Sequence, residues 1–343
     1  MRSDLHFSCK VFVMAGMYDT QLIETLRQGA IRLLDEWGLD SQTNVELLTI
    51  SENATFRAEE PETGRQIVLR VHRPGYHTQQ EIESELAWII ALRREEIVET
   101  PEPLLVKDGR YLASFEMEGK QRFVVAFAFM TGVEPSPTEK LSSGFEQLGA
   151  ISARLHQHVR SWKRPSSFLR KIWNFDTTVG PKPHWGDWRD APKLNKDGVQ
   201  LLEKTCQELK RQLNVFGEGP ERFGLIHADL RLANLLVEGD RLKIIDFDDC
   251  GFGWFGYDFA AAVSFFEHEP IITELEEAWI RGYRSVRPLS EEDARMFPTF
   301  VMLRRLLLTA WIGSHAETPT ATEVAETYSA GTLELAEAFL LRT

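Results

Sequence analysis

With 343 residues, 43% of them apolar and 27% charged, the chain has the composition of an ordinary globular protein and a length that favours two packed lobes over one core. A formal charge of -13 argues against general electrostatic binding to nucleic acid or to an anionic membrane, both of which need clustered positive charge. Three cysteines, Cys9, Cys206 and Cys250, lack metal-ligand spacing, which argues against structural zinc and points to a reducing, cytoplasmic setting.

Residues 1–19 read as an extension. Their apolar run, Val11 to Ala15 beside Lys10, is too short for an export signal, and Met14 or Met17 is a candidate true start. No stretch is long enough by eye to span a bilayer. Leu22, Leu26, Ala30, Leu33 and Trp37 then recur at helical spacing until Gly38, predicting one amphipathic helix near 20–37. Val45 to Ile50, Ala54 to Glu59 and Gln66 to Val71 are β-prone runs, the last two joined by hairpin residues around Gly64. Thr78 and Glu81 form a capping box that opens a helix carrying Ile82, Leu86, Ile89 and Leu92. Strands follow at Leu104 to Val106, Tyr111 to Met117 and Arg122 to Phe129, and a break at Thr131, Gly132, Pro135 and Pro137 marks the expected boundary between lobes.

Beyond that boundary the pattern is helical, with Leu141 to Trp162, Val199 to Leu213 and several segments after Gly256. Strand-like pieces interrupt it at Phe223 to Ile226 and Asn234 to Phe247. The stretch 163–198 has little periodicity and carries Trp173, Trp185 and Trp188, either anchors of an ordered insertion or a wall of a substrate site. The expected organisation is a 1–19 extension, a 20–130 nucleotide-binding lobe and a 131–343 lobe carrying the catalytic loop and acceptor site.

His227, Asp229 and Asn234 form the spacing His-x-Asp-x-x-x-x-Asn, and Asp246 follows in Ile-Ile-Asp-Phe-Asp-Asp. Phosphoryl transfer calls for these types: a carboxylate to orient or deprotonate the attacking hydroxyl, and hard oxygen ligands to hold Mg2+ against nucleotide phosphates. A strand signal precedes His227, a hairpin turns at Gly239 and Asp240, and Asp246 falls at the end of its second strand.

From about Leu22 to the C-terminus the sequence resembles the aminoglycoside phosphotransferase and choline kinase superfamily, in particular its homoserine-kinase-like and stress-response-kinase-like group. The segments that carry this are Ile226-His227-Ala228-Asp229-Leu230-Arg231-Leu232-Ala233-Asn234, Ile244-Ile245-Asp246-Phe247-Asp248-Asp249 and Tyr257-Asp258-Phe259-Ala260. The resemblance implies an α+β, two-lobed protein-kinase-like fold, with a small antiparallel N-terminal sheet and a mainly helical second lobe. It also implies ATP and Mg2+ as cofactors. Asp229 would be the catalytic base, with His227 and Arg231 beside it, Asn234 and Asp246 the Mg2+ ligands, and Asp258 a buried support for the loop. Arg70 and Glu85 match the family's phosphate cation and its helix glutamate, although most relatives carry Lys where this chain has Arg. The glycine-free loop with Ser51 and Asn53 would cover the phosphates, and the segment with Phe129 and Met130 would meet the adenine.

The acceptor expected is a small-molecule hydroxyl compound: an amino alcohol, a homoserine-like or an aminoglycoside-like molecule. Arg304 and Arg305 read either as partners of a substrate carboxylate or as ordinary salt bridges, and Trp254, Asp249 and His315 are further pocket candidates. A Ser/Thr protein kinase of the stress-response type and a nucleotide-binding regulator without catalysis are the alternatives, the latter motivated by Arg70 and the glycine-free loop.

Overall fold

The structure, a computed structural model, describes residues 20–136, 141–316 and 318–342; the expectations for residues 1–19, including Cys9, lie outside them. Helix α1 (Thr20–Ile31) is shorter than its periodicity, because the chain tightens into a 3-10 turn, Leu34–Trp37, that brings two large side chains three residues apart into the core. Gly38 ends that turn at φ 69°.

Strands β1 (Asn44–Ile50), β2 (Ala54–Glu59) and β3 (Gln66–Val71) form an antiparallel meander. The capping box of Thr78 and Glu81 forms as expected and opens α2 (Gln79–Arg94). Next come β4 (Pro103–Leu104), β5 (Leu112–Met117) and β6 (Lys120–Ala128). β6 pairs with β3 on one side and with β5 and β4 in turn on the other, completing the sheet. β4 stops short of Val106 because the Val106 N–H already turns back to the Arg110 carbonyl. Leu26, Leu34 and Trp37 pack with Phe56, Leu69 and Val124 to make the core of this lobe.

The sheet ends at Ala128, and the chain crosses over along the hairpin that follows the catalytic loop, with Val133 bridged to Val237. In chain order the second lobe comprises α3 (Leu141–Ser161), β7 (Ile172–Trp173), α4 (Phe175–Thr178), α5 (Lys196–Phe216) and β8 (Phe223–Ile226). The β9 (Leu235–Glu238) and β10 (Arg241–Ile244) hairpin and β11 (Gly251–Trp254) come next. The chain closes with α6 (Tyr257–Ala262), α7 (Ile272–Arg284), α8 (Glu291–Arg295), α9 (Phe297–Ser314) and α10 (Pro319–Leu341). β7 and β11 carried no clear strand signal: one has two residues, and the other alternates glycine with aromatics. Together with β8 they form a second small sheet that frames the loop beginning at His227.

The sequence suggested no bilayer-spanning stretch, and one amendment is needed. Among the described residues Glu291–Ser314 is long and apolar enough to cross a membrane, but 78% of its apolar window is buried inside the protein, as befits a core helix. Trp173 and Trp188 are buried anchors of the 163–198 segment. Trp254 is not a pocket residue: it is 2% exposed, stacks with Phe300 and donates to the Gly217 carbonyl at 2.9 Å.

Helices α3 and α7 meet through two glycines. A Cβ on Gly149 would stand 2.2 Å from the Trp279 carbonyl oxygen, and one on Gly282 would stand 1.8 Å from that of Glu146. Neither backbone can yield without separating the helices. Gly282→Ala is therefore expected to destabilise the protein by roughly 1 to 3 kcal/mol, the usual cost of forcing extra volume into a packed interface. A urea midpoint equal to wild type would show that the helices part at no cost.

Candidate active site

The loop from His227 to Asn234 is shaped from beneath by Asp258, at the start of α6. Its carboxylate accepts the backbone N–H groups of His227 at 3.3 Å and Ala228 at 2.8 Å, and Ala228 takes φ 66° to present both. His156 of α3 approaches the same carboxylate at 2.9 Å, and its other ring nitrogen meets the Tyr283 hydroxyl at 3.1 Å. Such satisfaction is what allows a fully buried Asp258.

The loop holds Asp229 with its side chain 14% exposed. Its Oδ1 accepts from Arg304 Nη2 at 2.6 Å, and its Oδ2 from Asn234 Nδ2 at 2.7 Å and Arg231 Nε at 3.3 Å. Burial alone would raise its pKa, but Arg231 and Arg304 outweigh that and hold the carboxyl below the usual aspartate range. A carboxylate offers about four acceptor positions, so three bonds leave Oδ1 able to take one more hydroxyl proton donor. His227 does not share this position. Its ring is buried, with Nδ1 accepting the Asp229 N–H at 3.3 Å and Nε2 3.3 Å from the Ile245 carbonyl oxygen. The geometry moves it from the reacting groups to those that position the loop.

Arg70, on β3, stands opposite. It contacts both oxygens of Glu85 on α2, the nearer at 2.6 Å, and its Nη1 lies 3.2 Å from Asp246 Oδ1. Burial works against its charge, yet the carboxylates of Glu85, Asp248 and Asp246 more than offset this, so the guanidinium stays firmly protonated. Asp246 lies two residues past the end of β10, not on it, at φ 60°, with its side chain 45% exposed.

Asp248, which sequence reasoning passed over, joins the lobes. It lies between Arg70, His72 and His77, at 3.9, 3.7 and 3.5 Å, and accepts Asn53 Nδ2 at 2.8 Å. Asn53 was expected at the nucleotide, but its amide is engaged at both ends, since Oδ1 also accepts the Arg73 N–H at 3.1 Å. It is a strut for the β1–β2 turn, whose Ser51 N–H closes on the Asn53 carbonyl at 3.1 Å. Phe129 and Met130 lie just past β6, half-buried, with the Phe129 N–H 3.4 Å from the Gln66 carbonyl oxygen.

Asn234 and Asp246 fit a divalent cation by donor chemistry. The Asn234 nitrogen serves Asp229, leaving the amide oxygen as its hard donor, and Asp246 adds an accessible carboxylate. Among the described residues no group of three or more His, Cys, Asp or Glu can hold a metal ion by itself. Mg2+ usually takes one or two protein oxygens and completes its shell with water and phosphates, so a sparse set suits it.

The wall beyond Asp229 is acidic and aromatic. Tyr76 donates to Asp249 Oδ1 at 2.7 Å and accepts the indole N–H of Trp185 at 2.9 Å, and Lys171 Nζ stands 3.5 Å from the centre of the Tyr76 ring. Burial, opposed by Lys171 but reinforced by Asp229, Asp248 and Glu52, lifts the Asp249 carboxyl to about 8. Trp185 also lies under Arg304, at 5.2 Å, so it belongs to the site as well as to the insertion. Of the two readings of Arg304 and Arg305 the structure gives the salt bridges: Arg304 pairs with Asp229, and Arg305 with buried Glu267 at 2.7 Å.

A sequence model of the phosphotransferase enzyme family, APH, matches residues 46–289, which takes in the sheet, the catalytic loop and Asp258. The chain belongs to that family. Among solved structures it is similar to a microcompartment-associated aminopropanol kinase, at 44% identity and a TM-score of 0.84, with 91% of this chain and 97% of the other covered. An amicoumacin kinase in complex with AMP-PNP, Ca2+ and Ami shares the fold at 19% identity and a TM-score of 0.72, covering 92% and 94%. Homoserine kinase of Neisseria meningitidis is 35% identical over 127 residues, 34% of this chain and 40% of that protein. The curated relatives matched are spanned over 40 to 77% of their length. APH membership establishes the two-lobed kinase-like fold and the coarse activity, a small-molecule kinase with a hydroxyl group as acceptor.

Proposed function

We propose that the protein transfers the γ-phosphoryl group of ATP to the hydroxyl of a small amino alcohol. Asp229 carries the reading: an ionised carboxylate with one acceptor position left, on the lobe that also carries Asp246, which the Arg70 guanidinium of the first lobe meets at 3.2 Å. Asp229 takes the proton of the acceptor hydroxyl as its oxygen bonds to the γ-phosphorus, and ADP leaves. Arg70, held by Glu85, pairs with the nucleotide phosphates; the turn at Ser51 covers them, and the segment at Phe129 and Met130 receives the adenine. Asn234 and Asp246 would hold Mg2+, which when bound neutralises phosphate charge. The amicoumacin kinase complex with AMP-PNP and Ca2+ supports this donor and a divalent ion.

Two observations support an amino alcohol. The acceptor wall offers the rings of Tyr76 and Trp185, whose faces suit an ammonium, and Lys171 already places one against Tyr76. Arg304, the cation that a homoserine-like carboxylate would need, is engaged by Asp229. The similar aminopropanol kinase points the same way. ADP release with Mg-ATP, screened against short amino alcohols, homoserine, choline and aminoglycosides, is expected to give its highest kcat/KM with a short amino alcohol. Preference for another acceptor, or labelling of a lysate protein instead, would overturn the assignment.

A further inference from the structure

The turn between β1 and β2 is built unlike a glycine loop. Two successive side chains, Glu52 and Asn53, reach out of the first lobe and bond to the second. Asn53 takes Asp248. Glu52 Oε1 accepts the indole N–H of Trp311, on α9, at 2.7 Å and lies 3.7 Å from Nε2 of His315, whose ring stacks on that indole at 5.2 Å. A glycine loop has no side chain with which to do either.

The carboxylate so placed is 14% exposed, and the described residues put no arginine or lysine in an ion pair with it. A largely enclosed carboxylate whose ion-pair partner among the described residues is an imidazole at 3.7 Å is stabilised further by a ligand that brings a full positive charge. Hydrogen bonds link this end of α9 to the acceptor wall: Ser314, beside His315, donates to the Trp185 carbonyl at 2.5 Å and Trp185 donates to the Tyr76 hydroxyl at 2.9 Å, and Glu52 is accordingly among the carboxylates that raise Asp249. Glu52 thus adjoins the acceptor wall at Trp311, although it belongs to the lobe proposed to hold the nucleotide.

Taking the amino-alcohol reading as its basis, we infer that Glu52 recognises the acceptor's ammonium group, so that the loop covering the phosphates also forms one wall of the acceptor site. Hooked to Trp311, the turn closes over both substrates together. Selectivity for a charged acceptor is thereby carried by the first lobe and not by the helical lobe alone.

Glu52→Gln removes the charge while keeping an oxygen for Trp311. Relative to wild type, kcat/KM for the amino alcohol divided by that for the diol of equal length is expected to fall at least about tenfold, the size expected when a charge-assisted contact becomes a neutral one. The loss should lie in acceptor KM, with the KM for ATP changing less. An unchanged ratio would overturn the inference. Trp311→Phe keeps the charge and removes the donor, so hydrogen exchange at residues 51–53 should quicken without any acceptor present; unchanged exchange would remove the hook. If the wild type uses an acceptor with no amino group, the functional reading and the ammonium assignment fail together, while the exchange measurement still decides whether the turn is tethered.

Discussion

Asp229→Asn is expected to lower turnover by about 10^2 to 10^4-fold, the usual contribution of a positioned general base, while Mg-nucleotide affinity stays near wild type. The expectation follows from how the carboxylate is held. Asn offers one oxygen where Asp229 offers two, so it keeps either Arg304 or Asn234 but not both, and an amide is too weak a base to take the hydroxyl proton. Arg70, Asp246 and the segment at Phe129 make no bond to Asp229 among the described residues, and Asn234, which does, keeps the Asp229 backbone carbonyl as a second acceptor at 2.8 Å, so its amide oxygen stays oriented for the metal. Asp246→Asn should behave differently and weaken Mg-nucleotide binding as well. Nucleotide titration beside single-turnover kinetics separates the two; equal loss of binding in both variants would refute this division of labour.

Arg305→Met should produce the largest loss of stability, about 3 to 5 kcal/mol, the range found when one partner of a buried ion pair is removed. Arg305 bonds to Glu267 at 2.7 Å, Thr332 at 2.8 Å and the Tyr328 carbonyl at 2.9 Å, and its guanidinium lies 3.4 Å from the centre of the Tyr328 ring. Without it the buried Glu267 side chain keeps, among the described residues, the Tyr328 hydroxyl at 3.0 Å and no cation. Domains of ordinary stability have about 5 to 15 kcal/mol in all, so the single variant should be near the threshold of folding. Arg305→Met combined with Glu267→Met removes both charges and should recover much of the loss. A urea denaturation series tests this; a single variant within about 1 kcal/mol of wild type, the scale of an exposed pair, would show that the buried pair contributes no more than a surface one.

The contrast between these two arginines shows what a sequence can and cannot disclose. Adjacent cations in a leucine-rich helix announce that both must be paired. Their partners lie 75 and 38 positions away, on a loop and beyond a helix, and no local rule selects them. The strands of the first lobe, the capping box and the loop carrying Asp229 were legible because each is settled within a dozen residues, whereas β7 and β11 depend on partners far along the chain. His227 was legible as a motif, but its role was not, since spacing is silent about which way a ring faces. Asp248, Glu52 and Tyr76 went unread as a group because their meaning arises only where the lobes touch. Glu52 did leave a trace: a phosphate-loop position without glycine must use its side chains for something.

The bond from Asp258 to His156, and from His156 to Tyr283, ties the floor of the catalytic loop to the two helices that cross at Gly149 and Gly282. A random-mutagenesis screen scored on activity alone will therefore enrich for substitutions where α3 and α7 cross, none of which touches Asp229. Sorting those hits by thermal melting before assigning them roles would keep scaffold lesions from being mistaken for chemical ones.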